Sequence, residues 1–132
     1  MRLVSGIRPS SPTSVSGYLG STITIANYLG AIKQWLELEK KYESYFFIAD
    51  LHAITTPHDP EAFPHIIDET LAIYLACGLD PKKSVIFLQS RIPEHSELAW
   101  LFETMTPVGE LQRMVQYKEK TGVEHAQATA GL

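Results

Sequence analysis

The segment Tyr45-Phe46-Phe47-Ile48-Ala49 (YFFIA) is a continuous apolar run that ends at Asp50. A short run of this kind, rich in aromatic residues, is typical of a strand buried on both faces of a parallel sheet. Ser84 to Gln89 (SVIFLQ) repeats the pattern, and a further short strand is predicted at Arg2 to Ser5. The chain is therefore expected to contribute three strands to a parallel sheet.

Helical patterns alternate with these strands. From Thr24 to Tyr42 apolar residues recur at three- and four-residue steps, as one face of a helix requires; they are Ile25, Tyr28, Leu29, Ile32, Trp35, Leu36 and Leu38. A second helix is predicted from about Pro60 to Cys77, with Gly78 as its capping glycine. Such alternation predicts an α/β fold with right-handed crossovers. Because three strands are few for a doubly wound sheet, we expect an incomplete, Rossmann-like one, and truncation is the simplest explanation.

The rest of the chain is predicted to be helical, from Glu94 to Met105 and from Pro107 to Lys120. With 132 residues, of which 45% are apolar and 20% charged, the composition suits one globular domain over residues 1–132.

Composition also narrows the classes of function. No apolar run is long enough for a membrane span, and no secretory leader is recognised. The only cysteine, Cys77, lies in an apolar helical stretch and is expected to be a buried structural thiol, which fits the cytoplasm. The net charge of −4 argues against a broad nucleic-acid surface. A local basic patch at Arg113, Lys118 and Lys120 stays open, although a solvated helix face is the commoner explanation.

The loop from Gly6 to Ser21 and the helix start after it form the predicted chemical centre. The sequence has no Walker-type phosphate loop, no G-x-G-x-x-G, no H-E-x-x-H and no G-x-S-x-G, and its histidines lack metal-ligand spacing. A helix N-terminus can itself bind phosphate through its unpaired N–H groups. Thr22 or Thr24 would donate a hydroxyl, with Arg8 and Ser10 opposite; an ordinary turn with a threonine cap is the alternative.

Several stretches resemble tryptophan-tRNA ligases, a family of class I aminoacyl-tRNA synthetases. The stretches that carry the resemblance are Ser5-Gly6-Ile7-Arg8-Pro9-Ser10, Thr24 to Ala31 (TIANYLGA), Ala49 to Thr55 (ADLHAIT), Phe87 to His95 (FLQSRIPEH), Leu98-Ala99-Trp100, Met105 to Leu111 (MTPVGEL) and Arg113 to Lys120 (RMVQYKEK). They occur in order along nearly the whole chain, and they imply the family's catalytic domain with a helical insertion at about 92–122.

Two departures lie in the first helix. The family's signature is Thr or His, an aliphatic residue, Gly and Asn, whereas this chain has Thr24, Ile25, Ala26 and Asn27, so a methyl group would narrow the space for the nucleotide. About ten extra residues also precede the signature. Two registers compete for it: Ser14 to Gly17 upstream, and Thr24 to Asn27 downstream, which is favoured because the following helix then has the length and the apolar face expected.

The resemblance implies activation of tryptophan by ATP, supplied with Mg²⁺ and without a protein-bound metal, and then transfer to tRNA. It places ATP against Arg8, Pro9, Ser10, Ala26 and Asn27. It assigns catalytic roles to Thr24, Asn27 and Lys120, and it puts Val4, Gly6 and His52 around the tryptophan.

The resemblance further implies a homodimer, with Leu98, Trp100, Leu101 and Met105 as core or subunit contacts. The family's K-M-S-K-S loop, its tryptophan-discriminating segment and its anticodon-binding domain have no counterpart here, so this chain alone is expected to have little or no activity. Three alternatives stay open: a truncated dimerising module, a tyrosine-specific relative, and another nucleotidyl-transferring α/β enzyme.

Overall fold

A computed structural model of the chain describes residues 1–9, 23–55, 58–115 and 117. The chain divides into two compact units, Met1–Arg91 and Ile92–Leu132. The first contains the sheet, and the second is helical where it is described.

The first unit is built on a three-stranded parallel sheet, as predicted, and its strand order is β1-β2-β3. Its strands are β1 (Arg2–Ile7), β2 (Glu43–Ile48) and β3 (Ser84–Leu88). Ile7 pairs with Ile48, which pairs with Leu88, so the three strands end at the same level. Strand β1 runs two residues beyond its predicted end, through Gly6 and Ile7, because its backbone continues to pair with β2.

One helix with a wide turn follows β1. It begins as α1 (Ile25–Asn27), passes through a π-helical segment (Tyr28–Ile32) and continues as α2 (Lys33–Leu38), so it ends four residues before the predicted Tyr42. After β2 come α3 (Asp50–Ala53) and α4 (Phe63–Ala76), and after β3 a 3₁₀ turn (Gln89–Arg91). Gly78 adopts a φ of 106°, the left-handed conformation that a capping glycine supplies.

The hydrophobic core lies between one face of the sheet and these helices. Trp35 stacks on Phe46 at 4.6 Å between ring centroids and meets Tyr74 of α4 edge-on at 5.4 Å. Ile32 and Phe46 are fully buried. Only part of the predicted helix face is covered, since Ile25 and Leu29 are exposed. Cys77 is half-buried, whereas the sequence predicted a buried thiol.

The opposite face of the sheet is partly open, since Tyr45 and Phe47 of β2 are only half-buried there, which corrects the expectation that β2 and β3 are buried on both faces. Val4 is 63% exposed and Val85 50% exposed, whereas Phe46 on the core face is fully buried. Two right-handed crossovers in one direction along a sheet put their helices on the same side, and the packing of Trp35 and Tyr74 against the core agrees. The apolar runs therefore predicted the positions of β2 and β3 correctly, but they did not predict how many faces of each strand are buried.

The second unit contains α5 (Pro93–Met105) and α6 (Val108–Leu111). The predicted helix from Pro107 to Lys120 is regular from Val108 to Leu111; residues 112–114 then form a turn, and Val115 and Tyr117 are again helical. Among residues 92–115 and 117 none is fully buried. Four apolar residues of α5 recur at helical spacing and are all at least half exposed: Leu98, Leu101, Phe102 and Met105. The predicted domain assignment of this segment as an insertion stays a prediction.

Candidate functional site

The carboxyl ends of the three strands share one edge of the sheet. The backbone N–H of Ala49, just beyond β2, donates to the carbonyl of Ile7 at 3.0 Å. Residues 8–9, 49–53 and 89–91 therefore follow their strands at the same edge. In open parallel sheets this edge is where ligands bind. Most of the site residues predicted from sequence lie here.

Gly6 allows close packing near the end of β1. A Cβ atom at Gly6 would lie 2.6 to 2.7 Å from three ring carbons of Phe47, its neighbour on β2. The Phe47 ring in turn packs against Phe87 of β3, with centroids 5.6 Å apart. Val4, two residues before Gly6, lies on the same open face of the sheet. The predicted tryptophan-pocket residues Val4 and Gly6 thus border an apolar, partly aromatic surface.

Arg8 and Pro9 follow β1 directly. Pro9 is fully buried, whereas Arg8 is half-buried. A buried proline fixes φ and has no N–H to satisfy, so the chain leaves the sheet here along a defined path. Ser10, the third predicted residue of this lip, lies outside the described residues.

Thr24 and Asn27 cap the helix that follows β1. The backbone N–H of Thr24 and its hydroxyl both donate to Oδ1 of Asn27 at 2.9 Å, and the Asn27 N–H donates to the Thr24 hydroxyl at 3.4 Å. This reciprocal arrangement is a capping box. The threonine hydroxyl is thereby committed to Asn27, whereas the amide nitrogen Nδ2 of Asn27 takes no part in the box. The N–H groups of Ile25 and Ala26 have no acceptor within the helix.

The start of this helix faces the site edge. The helix ends at Leu38 and β2 begins at Glu43, so its C-terminus must lie near the amino edge of the sheet. Its N-terminus, with the positive end of the helix dipole, therefore points toward the carboxyl edge. Thr24, Ala26 and Asn27 are brought to the side on which Arg8 and Pro9 lie, and Ala26 is exposed there.

Helix α3 places His52 at the same edge, where it is exposed. Two residues before it, Asp50 is only 6% exposed. Its Oδ1 atom accepts a hydrogen bond from the backbone N–H of Ser90 at 3.0 Å, joining the turns that follow β2 and β3. Next to Ser90, the side-chain oxygen of Gln89 is buried and has no hydrogen-bond partner within the described residues.

The sequence indicated Asp50 and Gln89 only as members of matching stretches, without a role. Their contacts depend on how the ends of two strands align, which the sequence does not show. The only sign of a role in the sequence is that both are polar residues at the ends of apolar runs. The upstream register at Ser14 to Gly17 and the predicted catalytic Lys120 lie outside the described residues.

Two features are absent from the described part of the chain. It contains no group of three or more histidine, cysteine, aspartate or glutamate residues arranged to hold a metal ion. Its helices are all too short or too polar to cross a lipid bilayer.

The whole chain matches a family model, and individual relatives agree with it. Residues 1–132 match the model described as tRNA synthetases class I (W and Y). The chain is 48% identical to a tryptophan-tRNA ligase of Rickettsia bellii over 84% of its own length and 34% of the relative. It is 43% identical to a tryptophan-tRNA ligase of Prochlorococcus marinus, and the match covers 99% of this chain and 36% of the relative.

Solved structures show the same likeness. Tryptophanyl-tRNA synthetase from Mycoplasma pneumoniae superposes with a TM-score of 0.80 at 35% identity, covering 93% of this chain and 34% of that one. The enzyme from Campylobacter jejuni in complex with ADP and tryptophan gives 0.79 at 36% identity, covering 99% and 38%. This chain thus spans about a third of the relatives' length. Because the family model covers all 132 residues, the chain belongs to the class I tRNA synthetases for tryptophan and tyrosine.

Proposed function

We propose that this chain forms the ATP- and tryptophan-holding part of a tryptophan-tRNA ligase. The observation that carries the proposal is the helix N-terminus, capped by Thr24 and Asn27, that points toward the carboxyl edge of a parallel sheet. Such an edge, with free N–H groups and a positive dipole end, suits an anion such as a triphosphate.

ATP, entering as its magnesium complex, would lie between Arg8 to Ser10 and the helix start. Since the Thr24 hydroxyl donates to Asn27, the donors available to phosphate are the N–H groups of Ile25 and Ala26 and the side-chain nitrogen of Asn27. Thr24 would then act by orienting Asn27. By the resemblance, Lys120 would add a positive charge to the phosphates.

Tryptophan would pack on the open sheet face beside Val4 and Gly6, with His52 at the rim. The exposed Val4 and the Phe47 and Phe87 rings supply the apolar surface that an indole needs. The tryptophan carboxylate would attack the α-phosphate of ATP, giving tryptophanyl-adenylate and pyrophosphate, and the aminoacyl group would pass to the terminal ribose of tRNA. Positioning of the two anions and stabilisation of charge on the phosphate would supply the catalysis.

The remaining parts of the proposal concern context. The relatives with tryptophan in their names favour tryptophan over tyrosine as substrate. The full-length protein would act in the cytoplasm on the tryptophan tRNA and would be a homodimer through α5. Because this chain covers only about a third of those relatives, we expect it alone to show little or no ATP–pyrophosphate exchange.

Calorimetry of the 132-residue chain with ATP, with and without tryptophan, tests the proposal. The informative variant is Asn27→Asp, which keeps an oxygen for the capping box and favours the helix dipole but adds a negative charge beside the phosphates. We expect its thermal midpoint to be unchanged or raised and its affinity for ATP to fall about tenfold or more. Gln34→Glu, an exposed change of equal charge on the same helix, is the control.

Each alternative predicts a different result. Another nucleotidyl-transferring enzyme would bind ATP without coupling to tryptophan, and a tyrosine-specific relative would couple ATP to tyrosine. A non-catalytic dimerising module would bind neither ligand. An Asn27→Asp variant that binds ATP as well as the Gln34→Glu control would contradict the placement of the phosphates.

A further inference from the structure

The buried carboxylate of Asp50 joins two parts of the site that are distant in sequence. Asp50 begins α3 directly after β2, and its Oδ1 accepts the Ser90 N–H at 3.0 Å in the turn after β3. A hydrogen bond to a charged group is about twice as strong as one between neutral groups, and burial makes its loss more costly. This bond therefore holds the 3₁₀ turn to α3.

The two segments joined by Asp50 each carry a polar side chain at the proposed ligand edge. His52 lies two residues after Asp50, and Gln89 directly precedes Ser90. The buried oxygen of Gln89 lacks a hydrogen-bond partner in the described residues. A buried acceptor without a partner is costly, and an N–H group of a bound ligand is one way to satisfy it.

We propose that Asp50 is a positioning residue of the tryptophan site: its bond to Ser90 sets the spacing between His52 and Gln89. The inference rests on the proposed function, because it takes the carboxyl edge as the tryptophan site. Asp50 itself need not touch tryptophan. Its effect is exerted through the turn that carries Gln89 and the short helix that carries His52.

The test compares Asp50→Ala with Asp50→Asn and with Asp80→Ala in the full chain. Asp80 accepts a backbone N–H, that of Lys82, at 2.9 Å in the turn before β3, so it is a matched control at the opposite end of that strand. Ser90 amide exchange, the resonances of the His52 ring and the Gln89 side chain, and tryptophan affinity are measured by NMR for each variant.

In Asp50→Ala we expect Ser90 exchange to accelerate about tenfold or more, tryptophan to bind about tenfold more weakly, and the His52 and Gln89 resonances to move. Asp50→Asn, which retains a side-chain oxygen, should recover most of both losses. Asp80→Ala should leave all of these readouts at their wild-type values.

A purely structural role would separate the readouts. If Asp50→Ala accelerates Ser90 exchange but leaves tryptophan affinity and the two side-chain resonances unchanged, the positioning role is overturned. If the wild-type chain binds no tryptophan, the proposed function of this chain fails, and the resonances alone decide: movement of both in Asp50→Ala supports positioning, and their constancy overturns it.

Discussion

Gly6 lies where the sheet has little room for a side chain. Because a Cβ atom there would lie 2.6 to 2.7 Å from the Phe47 ring, Gly6→Ala must displace a ring that also packs on Phe87. We expect a loss of about 1–3 kcal/mol in the free energy of unfolding, measured by urea denaturation. Gly30→Ala, where no atom lies within 4 Å of the added Cβ, should instead be neutral or stabilising.

A double mutant identifies the cause of the Gly6 effect. In a Phe47→Ala background the ring is gone, so the added methyl at Gly6 should cost less than about 0.5 kcal/mol. An equal cost in both backgrounds would place the effect in the backbone and would contradict the steric explanation.

Tyr74 makes the free energy of unfolding depend on pH in the alkaline range. Its side chain is fully buried and donates to the carbonyl of Phe47 at 3.3 Å. Burial raises the pKa of Tyr74 above its ordinary value. The unfolded chain loses this proton near pH 10 while the folded chain keeps it, so the contribution is complete below that pH and is lost as pH rises further.

Tyr74→Phe should therefore show a different pH profile in urea denaturation. At pH 8 we expect a loss of about 0.5–1.5 kcal/mol, because the hydroxyl bond is absent. Above pH 10 the wild type should lose up to about 1.4 kcal/mol per pH unit more than the variant, which narrows the gap. Parallel curves for the two proteins above pH 10 would show that the Tyr74 proton does not govern this range.

At the scale of single residues, the positions of the site residues were easier to predict from the sequence than their hydrogen bonds. Arg8, Pro9 and His52, which the resemblance groups around the substrates, lie at one edge of the sheet because strand ends align in a parallel sheet. The bond from Ser90 to Asp50 joins segments forty positions apart, and no local pattern encodes such a pairing. The commitment of the Thr24 hydroxyl to Asn27 is local and fits a capping box, but its geometry became known only from the structure.

The helix after β1 depends on its first turn. Thr24→Ala removes the hydroxyl that links to Asn27, and we expect a loss of about 1 kcal/mol in unfolding free energy and faster amide exchange at Asn27. Thr24→Ser keeps the hydroxyl and should lose only a few tenths. Because both residues share one set of bonds, Thr24→Ala combined with Asn27→Ala should cost less than the sum of the single changes. Strict additivity would mean that the bond between the Thr24 and Asn27 side chains contributes nothing to stability.

Among the elements, the strands were easier to predict than the helix details. Apolar runs predicted β2 and β3 to within two residues at each end. The predicted β1 ended at Ser5, because Gly6 interrupts the strand pattern, and so it lacked the last two residues of the strand. The π segment at Tyr28–Ile32 was not predicted, because a single wide turn scarcely alters a three- and four-residue apolar pattern. The two-face burial expected of the strands was wrong because both crossover helices pack on one side.

At the scale of the whole molecule, the second unit lacks a core of its own in the residues described. None of residues 92–115 or 117 is fully buried, yet α5 carries the apolar stripe of Leu98, Leu101, Phe102 and Met105. Helices gain most of their stability by burying such a face. Trp100, predicted with these residues as a core or subunit contact, lies off the stripe by the helical spacing and is 66% exposed.

The proposed homodimer would cover this stripe with the same stripe of a second copy. Sedimentation velocity of the wild-type chain should then show a mass that rises with concentration toward that of a dimer. Leu101→Asp puts a charge in the middle of the stripe and should keep the chain monomeric, because an unpaired charge is costly to bury. Ser96→Asp, on the opposite side of α5, adds the same charge and should dimerise as the wild type does. A wild-type chain that stays monomeric at all concentrations, or equal effects of the two substitutions, would contradict a dimer formed through this stripe.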